Sequence, residues 1–137
     1  MEPSIELKNI VLHYYEAGAQ GRTDLIEQML SHDDGTVVIG TDPNEWWEGY
    51  ENITSIFITQ MKEMGGITLI AGDPQAYCEG SVGWTMDHPK FRLPDGKEIP
   101  IRFTTVFHRE KGEWKIIQQH ISIGVPNEEA IGKALTV

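Results

Sequence analysis

RFTTVFHREKGEWKIIQQHIS, Arg102 to Ser122, is the stretch whose reading decides the fold. It reads as two long strands folded back on each other across Glu110-Lys111-Gly112, since three residues ending in glycine suit a type I turn whose last residue takes positive φ. That turn sets Arg109 opposite Glu113. Counting back, Phe107 faces Lys115, Thr105 faces Ile117, Phe103 faces Gln119 and Ile101 faces Ile121 on one side of the pleat, which is mostly apolar. The other side pairs Arg102 with His120, Thr104 with Gln118, Val106 with Ile116 and His108 with Trp114, a mixture that suits a contact surface better than a core. A two-residue turn at Lys111-Gly112 would set Glu110 against Glu113 and mix the two faces, so the three-residue form is preferred.

The rest of the chain supplies what covers the apolar side. Its 137 residues suit one domain, 1–137, with a real core. A formal charge of −10, from 11 Lys and Arg against 21 Asp and Glu, repels a phosphate backbone or an anionic bilayer, so neither nucleic acid nor a membrane is expected as a partner. Cys78 is the sole cysteine, which rules out an internal disulfide and suits a reducing compartment. The acidic start MEPSIELKN lacks the blocks of a secretory signal, and no apolar run is long enough to span a bilayer, so a cytoplasmic protein is expected.

Helical spacing of Leu7, Ile10, Val11, Tyr14, Tyr15 and Gly18, with Ser4 as N-cap, predicts a first helix. Thr23-Asp24 opens a shorter second one that Ser31 to Gly35 breaks, and Tyr50, Ile53, Phe57, Met61 and Met64 form a third, stopped by Gly65-Gly66. Thr36 to Ile39 reads as a short strand leading into a loop, Gly40 to Gly49. After the third helix the period changes to strands at 67–71, 75–79, 81–92 and 97–109, with Asp95-Gly96 as a hairpin signal and Trp114 to Gly124 as the last strand. Asn127 is placed to cap a short terminal helix that Gly132 weakens. The class is α+β: a curved antiparallel sheet of five to six strands, with three helices of the N-terminal half packed on one face.

This order resembles the SnoaL-like branch of the nuclear transport factor 2-like superfamily. The stretches that carry the resemblance are Gly40-Thr41-Asp42-Pro43 with Trp46-Trp47-Glu48-Gly49, then Gly83-Trp84, Arg102-Phe103-Thr104, and Trp114 with His120 and Ser122. The resemblance implies a cone-shaped pocket between sheet and helices. It also implies a choice of functions, because the superfamily includes ketosteroid isomerases, polyketide cyclases, dehydratases and non-catalytic members such as the association domain of calmodulin-dependent kinase.

An isomerase or cyclase in such a cone needs a base inside an apolar cavity and a donor for an enolate oxygen. Tyr14 matches the oxyanion tyrosine of the isomerases, although a core tyrosine with a satisfied hydroxyl is the commoner use of such a residue. The positions matching the two isomerase acids fall near Ile39 and near Thr104 or Thr105, and neither is acidic. Asp42 is the nearest substitute, but an Asp before Pro mostly caps backbone amides. His120 completes the catalytic candidates, and the register puts it beside Arg102 on the polar face. The five histidines have no short ligand spacing, and neither a metal nor a cofactor is expected.

Trp46 and Trp47 point opposite ways, so one enters the pocket while its neighbour covers the rim or a partner. Trp84, alternating with Val82 and Met86, reads as a buried strand face. The expected pocket wall is Tyr14, Trp46, Trp47, Phe57, Trp84, Phe103, Thr105, Ile117, Gln119 and Ile121, with Thr105 and Gln119 orienting a small apolar ligand. The expected dimer interface is Arg102, Thr104, Trp114, Gln118 and His120. Two functions follow: a ligand-binding homodimer with little or no catalysis, or an isomerase, cyclase or dehydratase acting on a mostly apolar carbonyl compound.

Overall fold

In the computed structural model, which describes residues 1–137, the Ser4 hydroxyl accepts a hydrogen bond from the Leu7 amide at 3.2 Å and caps α1 (Ile5–Ala19). The stripe at helical spacing buries Leu7, Val11, Tyr14, Tyr15 and Gly18. Helix α2 (Thr23–Met29) follows, and α3 (Tyr50–Met64) buries Ile53, Phe57 and Met61 before Gly65, in the left-handed region at φ 66°, ends it. A terminal helix α4 (Asn127–Ile131) has Pro126 at the capping position, with Asn127 already in its first turn, and Gly132 serves as its C-cap; it buries nothing.

The strands are β1 (Glu2–Pro3), β2 (Val37–Ile39), β3 (Trp46–Glu48), β4 (Thr68–Ile70), β5 (Gln75–Glu79), β6 (Val82–Asp87), β7 (Lys90–Arg92), β8 (Glu98–Pro100), β9 (Arg102–Glu110) and β10 (Glu113–Ser122). They form a curved seven-stranded sheet in the order β1-β5-β6-β9-β10-β2-β3 and a three-stranded one, β4-β7-β8. The class is α+β as the sequence implies, but there are more strands than expected and the β10–β2 pair is parallel. The expected strands 81–92 and 97–109 are each divided between the two sheets, at Pro89 and near Pro100. Proline brings no N–H to a ladder, so it sits where a strand starts or stops. The Pro89 carbonyl accepts from the Ile101 amide at 3.0 Å, which ties the two exits together.

The decisive hairpin differs from expectation at its turn. Glu110 pairs with Glu113 across Lys111 (φ 51°) and Gly112 (φ 80°), the two-residue turn with both central residues at positive φ. The like charges that argued against it are drawn apart. Glu110 accepts from the Ser31 hydroxyl at 2.7 Å, and Glu113 lies 3.3 Å from the Lys115 ammonium. A β-bulge between Ile116 and Gln118 then leaves Ile117 unpaired. Beside the turn this reverses the expected faces: Trp114 and Ile116 are buried, while Lys115 and Ile117 look outward. Past the bulge the expected faces return but every partner is displaced by two: Thr105 meets Gln119 instead of Ile117 and Phe103 meets Ile121 instead of Gln119 on the inner face, while Thr104 meets His120 and Arg102 meets Ser122 on the outer one.

Helix α1 crosses the inner face where Gly83 gives it room. A Cβ built on Gly83 would collide with the Leu7 Cδ1 methyl and come within 3.2 Å of the Tyr77 carbonyl oxygen. Gly83→Ala is therefore expected to lose about 2 kcal/mol, as overpacked cores do. Leu7→Ala in the same chain should make the glycine substitution far less costly than it is alone. Urea unfolding of the two single variants and the double variant checks this; strictly additive losses would contradict the contact.

Candidate functional site

Between the inner face and the helices lies a cavity of about 360 Å3 lined by 21 residues, 15 of them hydrophobic. Tyr14 and Tyr15 of α1, Phe57 and Met61 of α3, Ile121 of β10 and Trp47 of β3 supply much of the wall, and Leu69, Phe91 and Ile99 of the smaller sheet, with Ile101 just after it, close the other side. Trp47 packs edge-on to Phe57 at 6.4 Å between ring centroids.

The two tyrosines are fixed by different partners. Gln119 Nε2 donates to the Tyr14 hydroxyl oxygen at 2.8 Å, and both groups are buried. Burial pushes the Tyr14 pKa well above its ordinary value, with the Gln119 hydrogen bond opposing. The Tyr15 hydroxyl donates to Asp87 Oδ2 at 2.9 Å. Burial first, then the Asp87 charge and hydrogen bond, hold it higher still. Both hydroxyls are neutral and committed to protein partners.

Glu45 is the carboxylate that the loop carries to the cavity. Its Oε1 accepts from the Asp42 amide at 2.8 Å and its Oε2 from Gln60 Nε2 at 2.9 Å. The side chain folds over Gly40, where a Cβ would stand 2.8 Å from that of Glu45. Nothing in the sequence singled out Glu45 or Gln60. The available signal was Gly40 five residues before an acid, in a loop whose Asp42-Pro43 already announced a turn.

Of the expected pocket residues, Tyr14, Trp47, Phe57 and Ile121 line the cavity. Gln119 and Phe103 are buried against the tyrosines, and Thr105 is buried beside Gln119 in the ladder. Ile117 is outside because the bulge turns it outward. Trp46 is 62% exposed on the outer side of β3, as alternation with Trp47 requires. Trp84 also faces outward and stacks on Tyr77 at 6.3 Å; Val82 and Met86, its alternating neighbours, are exposed, so that face of β6 is the uncovered one. Among the catalytic candidates, Asp42 caps its own turn by accepting from the Asn44 amide at 2.8 Å, and His120 is exposed on the outer face. Only Tyr14 of the three reaches the cavity. Of the expected interface, Arg102, Thr104, Gln118 and His120 are exposed, whereas Trp114 is buried with Arg109 4.4 Å above its ring.

Residues 7–126 match the model of the SnoaL-like domain. The chain belongs to the SnoaL-like family. No curated protein matches it significantly. Among solved structures this SnoaL-like chain is similar to a nuclear transport factor 2-like protein of unknown function from Pseudomonas putida, with 17% identity, a TM-score of 0.80 and coverage of 95% of this chain and 91% of that one. It is similar to a candidate dehydratase of the nuclear transport factor 2-like family from Streptomyces avermitilis, at 17% identity and TM-score 0.72, covering 88% and 95%. A candidate calcium/calmodulin-dependent protein kinase type II association domain from Thiobacillus denitrificans shares 16% identity, with a TM-score of 0.67 over 82% and 90%. At such identities the likeness establishes the fold. No helix is long and apolar enough to cross a membrane.

Proposed function

We propose that this SnoaL-like chain is a binding protein for a small, mostly apolar ligand held in the cone. The observation that carries the reading is the cavity itself: an apolar space of ligand size whose deeper hydroxyls are locked to Gln119 and Asp87. A base for enolate chemistry would have to stand beside Tyr14, and the side chain bonded there is the amide of Gln119. Equilibrium dialysis of the chain against a metabolite extract, with bound compounds identified by mass spectrometry, should recover a compound that a Phe57→Trp variant retains poorly. Equal retention by both, or retention of nothing, counts against the cavity as the site.

Glu45 gives the catalytic alternative a residue that Asp42 does not, because its carboxylate reaches the cavity. Acid–base turnover of an apolar carbonyl compound would then change the mass or isomeric form of the recovered ligand on long incubation, and Glu45→Gln would abolish the change. A ligand recovered unaltered supports binding alone.

The assembly we propose is a homodimer through the outer face of the large sheet. Trp46 beside Ile39, and Trp84 beside Tyr77 and Met86, form an apolar band, with Thr104, Gln118 and His120 set among them. With Trp46 and Met86 exposed and Trp84 and Tyr77 half-buried, the band has the character of an interaction surface, and a second copy matches its mixture of apolar and neutral polar groups. Sedimentation at micromolar concentration should give a dimer that Trp84→Glu converts to monomer; a monomeric parent chain would end this proposal.

A further inference from the structure

We propose that the cavity selects apolar ligands that end in a positive charge, amphiphilic amines foremost, and rejects the carboxylates and phosphates of the same shape. The inference rests on the reading of the cavity as a ligand site and names the chemistry of its occupant.

The cavity wall contains no lysine, arginine or histidine. Its polar side chains other than the tyrosines and the Trp47 indole are Thr41, Glu45, Gln60 and Glu63, which come from the loop after β2 and from the second half of α3. Gln60 and Glu63 are one helical turn apart, and Gln60 bonds Glu45, so the four belong to one end of the cavity. The polar end is therefore acidic, and the remainder is apolar.

The charges of the wall and its open lone pairs decide the sign. The Tyr14 hydroxyl is engaged by Gln119, the Tyr15 hydroxyl donates to Asp87, and the Gln60 amide donates to Glu45. The Thr41 hydroxyl lies 3.4 Å from Glu45 Oε1. The tyrosine hydroxyls are committed within the protein, and the donors that stay open, the second N–H of Gln60 and the Trp47 indole N–H, are neutral. The carboxylates keep open lone pairs, because each carboxylate oxygen has two lone-pair directions and Glu45 Oε2 receives one hydrogen bond. A ligand that brings a negative charge meets two carboxylates and no cationic side chain to offset them. One that brings an ammonium group meets oxygens already held in place, and Trp47 and Phe57 add aromatic faces that favour a cation.

Glu45 is preorganised for this. Its Cβ lies against Gly40 where any side chain would displace it, and two donors from different elements orient the carboxylate. Such a fixed anion attracts a ligand cation without the ordering cost that a loose surface glutamate carries.

Matched probes separate charge selection from cavity binding. Calorimetric titration of the full chain with decylamine, decan-1-ol and decanoate, all below their micellar range, should rank the amine about tenfold tighter than the alcohol, the order of one charge-assisted contact. Decanoate should bind more weakly than the alcohol. Glu45→Gln should bring the amine to the level of the alcohol and leave the alcohol unchanged. Glu63→Gln is the second variant if Glu45→Gln fails to fold, and Asp34→Asn, an exposed charge outside the cavity, should change nothing. If amine and alcohol bind alike, if decanoate binds best, or if Asp34→Asn weakens the amine as much as Glu45→Gln, charge selection is overturned while the cavity remains a binding site. If none of the three binds, the cavity reading falls with it.

Discussion

Asp87→Ala is expected to remove about 3–5 kcal/mol of stability, the range for stripping one partner from a buried charged network. The carboxylate is 6% exposed and accepts four hydrogen bonds. Oδ1 takes the amides of Asp73 at 2.9 Å and His88 at 2.8 Å, and Oδ2 takes the Tyr15 hydroxyl at 2.9 Å and the Gly72 amide at 3.2 Å. These partners belong to α1, to the segment between β4 and β5, and to the residue where the large sheet ends. Gly72 is pressed so close that a Cβ there would lie 2.6 Å from the His88 carbonyl oxygen, so the segment has little freedom to regroup around a missing carboxylate. Asp87→Asn separates charge from shape. Its amide oxygen keeps two of the bonds, while its NH2 faces the Gly72 N–H, and about 1–2 kcal/mol is the expected loss for one buried donor left unpaired. Urea unfolding of both variants gives the comparison. A loss below about 1 kcal/mol for alanine would mean that water replaces the carboxylate at little cost, and the network would then not hold the two sheets in register.

Nothing in the sequence marked Asp87 for this, although Pro89 two residues later did mark the place. A proline inside an otherwise β-patterned run argues for a break, and Pro89 and Pro100 both stand where the chain passes between sheets. The helices were legible for the converse reason. Ser4, the 3.6-residue stripe through Tyr14 and Tyr15, and Gly65 are local signals whose outcome no distant contact reverses. The hairpin lies between these cases. Its two strands are plain, but the turn was settled by Ser31 and Lys115, which separate Glu110 from Glu113, and Ser31 is 79 residues from the acid it binds. The bulge is hidden because Ile116 and Ile117 are both apolar, so the period breaks without a visible polar residue facing inward. The residue lost from the turn and the extra one at the bulge each move the register by one in the same direction, and a shift of two returns every side chain to its expected face while changing its partner. Hence Phe103, Thr105, Gln119 and Ile121 face inward by either count, and His120 stays outside. Glu45 was not legible, because its position at the cavity depends on Gln60 of α3 and on the bare backbone of Gly40.

Phe103→Ala is the companion test on the apolar side of the same wall, with an expected loss of about 3–5 kcal/mol, the cost of a truncated core phenylalanine. The ring is 2% exposed, edge-on to Tyr15 at 5.6 Å and tilted against Tyr14 at 5.7 Å. Neither tyrosine is free to fill the space it would leave. Tyr14 is anchored through its hydroxyl to Gln119 and Tyr15 through its hydroxyl to Asp87, so collapse would break a buried hydrogen bond in each case. A site that cannot relax keeps its cavity, which places the loss toward the upper end of the range. Phe103→Leu refills most of the volume and should lose about 1–2 kcal/mol, since it gives up the ring contacts but leaves little empty space. Adding Tyr14→Phe to Phe103→Ala releases the Tyr14 ring from Gln119 and allows it to settle, so the pair should lose less than the sum of the two single substitutions. Additive losses, or a Phe103→Ala cost no larger than that of Phe103→Leu, would show that the tyrosine wall moves freely, and the cavity would then not be the preformed space on which ligand selection depends.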